Sequence, residues 1–71
     1  MKLETITAIK LDDAIRDCEK HIRHEFIART LAKYPLTVQA FNTGDISSMI
    51  AVLTLSQLEE STLWLDGRLA G

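Results

Sequence analysis

Both apolar stretches of this chain change face partway along, so no single flat helix face can bury either of them whole. Leu11, Ile15, Cys18, Ile22 and Phe26 recur at steps of four and three and draw one stripe along a helix. At about 100° per residue, Ile27, Leu31 and Tyr34 then fall roughly opposite that stripe. Arg29 and Lys33 land where the stripe should have continued. The second stretch repeats the pattern. Ile46, Met49, Ile50 and Leu53 form one stripe, and Leu55, Leu58, Thr62, Leu65 and Leu69 form another about 140° away. Such helices must break or bury two sides. In a chain of 71 residues the second option calls for another molecule, because a domain of this size buries only about 60% of its unfolded surface.

Size narrows the routes to stability. One small domain is all the chain can form, and its core is thin. Cys18 is the only cysteine, so there is no disulfide framework. The spacing of Cys and His offers no structural zinc site. Oligomerisation is the remaining natural support at this length. The net charge of −2, from 8 basic and 10 acidic residues, argues against a general binder of nucleic acid or anionic membrane, which needs an excess of Lys and Arg. No run approaches the roughly 18 apolar residues of a membrane span. Residues 1–10 have no apolar core of a secretory signal, and the lone cysteine suits a reducing compartment. The expectation is a cytoplasmic protein.

The punctuation predicts the elements. Residues 1–7 have no periodic partner and read as a flexible arm. Residues 8–34 are good helix formers with no Gly or Pro. Their i,i+4 pairs cancel, since Asp12–Arg16 attracts while Asp13–Asp17 and Arg16–Lys20 repel. The apolar stripe therefore decides this helix. Pro35 ends it by restricting Tyr34 and removing a donor. Residues 35–44 read as a turn or short helix, closed by Gly44, with Asp45 a good N-cap for the next helix. Residues 45–69 read as a helix, with a restart near 54–56 as one way to explain its change of face. Thr54 with Gln57, and Ser56 with Glu59, each match a capping box.

Three groups of residues bear on function. Cys18, His21, His24 and Glu25 lie within two turns, but ligands from one helix all point the same way and rarely close around a tetrahedral ion. The simpler reading packs Cys18 as a small hydrophobe and pairs His21 with Glu25. No metal or cofactor is expected. Arg16, Lys20 and Arg23 form a basic stripe on the outward face of the first helix. The bland reading is a solvated face, and the sharper one is a docking surface for an acidic protein. Trp64 lies away from the Leu55–Leu69 stripe and reads either as a cap on the core or as an interface anchor.

Residues 36–55 resemble the helix-turn-helix DNA-binding motif, with Ala40, Gly44, Ile50 and Leu53 at its small, glycine and apolar positions. The resemblance implies a DNA-binding regulator. Two departures stand beside it. Thr43 occupies a position that is normally apolar, and residues 47–55, where the recognition helix should lie, contain no Arg, Lys, Asn or Gln to read base edges.

The sequence therefore predicts an all-α chain folded as an antiparallel helical hairpin with a short middle helix or turn. Leu11, Ile15, Cys18, Ile22 and Phe26 are expected to pack against Leu55, Leu58, Leu65 and Leu69 within one chain. Ile27, Leu31, Tyr34, Ile46, Met49, Ile50, Leu53 and Trp64 are left over, and are expected to meet across a two-fold axis in a dimeric helical bundle. The function expected is a small non-enzymatic protein-interaction module, with a helix-turn-helix regulator as the alternative. Tiny helical chains of this kind are common among accessory proteins of phages and mobile elements. Expected partners are a second copy and one unidentified protein, with nucleic acid and membrane disfavoured.

Overall fold

The computed structural model describes residues Leu3–Ala70, and these are helical almost throughout, with no strand among the described residues. Five helices run in order: α1 (Leu3–Asp17), α2 (Lys20–Lys33), α3 (Leu36–Thr43), α4 (Ile46–Ala51) and α5 (Leu55–Ala70). Leu3–Thr7, expected as part of an arm, belong to α1. Met1 and Lys2 lie outside the described residues.

The expected helix over 8–34 is corrected to two helices. It breaks at Cys18–Glu19, where the Cys18 amide donates to Ile15 O at 3.2 Å and Glu19 turns extended at φ −59°, ψ 152°. The Cys18 thiol donates back to Ala14 O at 3.1 Å, inside the last turn of α1. The break resets the helical phase. In α2 the buried line is Phe26, Thr30 and Tyr34, so the stripe continues at steps of four through a threonine and never needs Arg29 or Lys33.

At the corner after α2, Tyr34 N–H donates to Thr30 O at 2.9 Å. The buried Thr37 hydroxyl donates to Tyr34 O at 2.6 Å and so ties α3 to the end of α2. Gly44 closes α3 by donating to Ala40 O at 3.0 Å. A Cβ there would stand 2.2 Å from Ser48 Oγ, so the close approach of α4 requires glycine. Asp45 caps α4 by accepting from Ser48 N–H at 3.2 Å. The change of face in the last stretch is also a break, at Val52–Thr54. Thr54 and Gln57 close a reciprocal capping box at the start of α5. Thr54 N–H donates to Gln57 Oε1 at 3.0 Å, and Gln57 N–H donates to Thr54 Oγ1 at 3.2 Å.

A single hairpin is thus replaced by five shorter helices around one core. Helix α2 runs antiparallel to α5, as the pairs Glu25 with Arg68, Phe26 with Trp64, and Arg29 with Glu60 show. Helix α1 lies beside α5 in the same direction. Ala8 shares a depression with Leu58 near their starts, and Cys18 shares another with Leu69 near their ends.

The core corrects the expected dimer interface. Met49 (0% exposed), Ile50 (1%), Leu53 and Tyr34 are buried inside one chain with Leu11, Ile15, Phe26, Leu58 and Leu65. Ile27, Leu31, Ile46 and Trp64 are partly buried and pack against that same cluster. The side chains expected to wait for a second copy are therefore wholly or partly covered within one chain, because the two breaks let each stretch turn both of its faces inward. The intrachain set needs one correction too: Leu69 is 54% exposed. Leu55, Cys18 and Ile22 are only partly buried. The radius of gyration, 11.2 Å, equals that of a compact single chain of this length, about 11 Å.

Candidate interaction surface

Most of the basic residues are committed within the fold. Arg16 Nε donates to Asp12 Oδ1 at 2.9 Å, and its Nη2 donates to Ser47 Oγ at 2.9 Å while lying 3.7 Å from Asp45 Oδ2. Ser47 Oγ in turn donates to Asp12 Oδ2 at 2.8 Å. This clasp ties the end of α1 to the start of α4. Arg23 Nη1 reaches Arg16 O at 3.5 Å. Of the expected docking stripe Arg16, Lys20 and Arg23, the first therefore holds two helices together, the third is half-buried, and Lys20 alone is a free exposed cation. The break at Cys18–Glu19 is the reason, since it turns α1 and α2 away from one shared outward face.

Three more cations are paired across α2 and α5. Arg68 grips Glu25 through two hydrogen bonds of 2.9 Å each. Arg29 Nη2 lies 3.3 Å from Glu60 Oε1, and Lys33 pairs with the same carboxylate. The Arg29 guanidinium also sits over the Trp64 ring at 5.4 Å, and that ring meets Phe26 at 5.9 Å between centroids. Trp64 is thus a lid on the core, held by a cation on its outer face. Most of these carboxylates and cations are partly exposed, so each pair is worth at most about 1 kcal/mol. Their larger effect is on what remains outside. Among the described residues Glu4, Asp13, Asp17, Glu59 and Asp66 have no ion-pair partner, against Lys10, Lys20 and Arg23 on the basic side.

Two apolar patches share this surface. One is a groove of about 310 Å³ between α1 and α5, floored by Leu11, Ala14 and Leu65 and walled by Leu3, Ile6, Lys10, Thr62 and Asp66. Leu63 stands beside it on α5, 71% exposed. The other is the corner between α2 and α3, where Leu36, 84% exposed, shares a depression of about 170 Å³ with Pro35 and Val52. Neither patch is marked by a pattern in the sequence. Leu63 lies off both stripes, with Glu59 and Asp66 as its neighbours one turn away on α5.

Among the described residues no three His, Cys, Asp or Glu side chains come together as metal ligands would. Cys18 and His21 fall on opposite sides of the helix break, and His21 Nδ1 lies 3.3 Å from Glu19 rather than beside Glu25. In the segment resembling helix-turn-helix, α4 is six residues long and points Met49 and Ile50 into the core, while Ser47 is held in the Arg16 clasp. No helix among the described residues is long and apolar enough to cross a membrane. No family model matches this chain, and neither a curated protein nor a solved structure matches it.

Proposed function

We propose that this chain is a small non-enzymatic protein-interaction module: an adaptor, inhibitor or regulator of the accessory kind that phages and mobile elements carry. What supports the reading is a core that closes within one chain while large apolar side chains stay outside it. Leu3, Ile6, Ile9, Leu36, Val38, Val52, Leu63 and Leu69 are all exposed. Single exposed apolar residues need no explanation, but several of these gather into two patches, and patches are where protein partners gain free energy. Aliphatic walls suit contact rather than bond-making. Self-association belongs to the reading in one form, a homodimer that draws on this exposed set.

The test is co-purification of the tagged chain from its host, with Leu36→Asp and Leu63→Asp variants in parallel. Wild type should retain one protein in stoichiometric amount. At least one variant, still helical by circular dichroism, should lose it. Retention of no protein, or equal retention by both variants, would refute the reading. Retention of DNA with an affinity that falls steeply with salt would replace it with the helix-turn-helix alternative.

A further inference from the structure

We infer that the α1–α5 groove is a docking site for a cationic amphipathic helix of a partner protein. The inference rests on the interaction-module reading above and names the partner's chemistry. Two parallel helices leave a trough between them, and a third helix laid in such a trough buries its apolar face by the usual helix-in-groove mode. The trough here has an apolar floor of Leu11 and Leu65 and apolar walls at Leu3 and Ile6. Leu63 stands exposed on the outer face of α5, beyond Thr62 and Asp66 of the groove wall.

Charge identifies the occupant. Asp13 and Asp17 come after Ile6 along the outward side of α1, at steps of seven and four. Glu59 and Asp66 bracket Leu63 on α5. All four are exposed and none has an ion-pair partner among the described residues. Lys10 is the one described cation lining the groove. Arg29 and Lys33 are held toward α2 by Glu60, and Arg68, which shares a depression with Asp17 at the end of the groove, is neutralised by Glu25. An acidic strip with an apolar centre selects a partner with Lys or Arg flanking Leu-type anchors, and it speeds that partner's arrival.

The same charges disfavour the other occupants. A two-fold interface sets a patch against itself, so a second copy would bring four carboxylates against four. Nucleic acid and anionic lipid are repelled in the same way.

The test uses two synthetic helical peptides of about 18 residues, long enough to hold a helix when bound. One carries Leu and Lys, and the other carries Leu and Glu at the same spacing. Each is titrated into the full chain while backbone amide shifts are tracked by NMR. The Lys peptide should move amides of α1 and α5 that flank the groove, and added salt should weaken it. Glu59→Lys combined with Asp66→Lys should weaken it at least tenfold, and Ile6→Ser with Leu63→Ser should do likewise. All four positions are exposed, so the fold should survive, as circular dichroism will show. Equal binding of both peptides, shifts centred on Leu36 and Val52, absence of binding, or sedimentation of the free chain as a dimer through this groove would each overturn the inference. Loss of the co-purified partner from Leu36→Asp but not from Leu63→Asp would overturn it too, and would leave the broader module reading intact.

Discussion

Met49→Ala tests whether the core closes within one chain. Met49 is fully buried beside Ile50, whereas the sequence pattern places both between two copies. Truncating a buried Met to Ala costs about 2–5 kcal/mol, made of lost transfer free energy and the cavity left behind. A domain of this length holds about 4–11 kcal/mol in all. A loss near 3 kcal/mol shifts the midpoint of a small domain by about 12–24 °C. The assay is thermal unfolding by circular dichroism at two protein concentrations roughly a hundredfold apart. If Met49 packs inside the monomer, wild type and variant should each melt at the same temperature at both concentrations, with the variant lower by that amount. A fold that depended on dimerisation would gain about 2.7 kcal/mol per dimer from a roughly hundredfold rise in concentration, and its midpoint would climb by about 5–10 °C, because the gain is spread over two chains. Such a climb in the wild type, or a Met49→Ala chain that melts within a degree or two of it, would refute the reasoning.

Other substitutions probe single features. Gly67→Ala, on an open helical face where a new Cβ meets nothing within 4 Å, should stabilise by about 0.5–1 kcal/mol in denaturant melts. Gly44→Ala should destabilise by about 1–3 kcal/mol through its clash with Ser48, and Ser48→Gly in the same chain should restore much of the loss. Thr54→Ala removes half of the capping box and should cost about 1 kcal/mol, with the loss of helicity seen first in α5 amides by hydrogen exchange. Ser61→Ala should be neutral or stabilising by about 1 kcal/mol, because the buried Ser61 hydroxyl has no hydrogen-bond partner.

The helical class could be read from periodicity, and the turn at Pro35 to Asp45 from its residues, because Pro, Gly and a capping Asp act locally. The five-helix arrangement could not. Its first break, at Cys18–Glu19, carries neither Gly nor Pro, and the only hint was the repulsion of Asp13 and Asp17 one turn apart at the end of α1. Three core positions were invisible to a search for apolar residues: Thr30, Thr37 and Ser61 are each at most 1% exposed. With Thr30 counted, Phe26, Thr30 and Tyr34 make one regular face and no second face needs a partner. The apparent surplus of apolar faces came from running one helical phase through both breaks. The exposed patches were missed for the converse reason. Leu63 and Leu36 belong to no stripe, and a residue outside every pattern draws no attention until its surroundings are known.

The side-by-side placement of α1 and α5 bears on how the chain is made. The ribosome delivers α1 well before α5, so Leu11 and Ile15 have no shelter on the α5 side until that sixteen-residue helix emerges. At about 5–20 residues per second that helix alone takes on the order of one to three seconds. Through that interval the Leu11 and Ile15 side chains, buried in the finished fold, stand uncovered on that side.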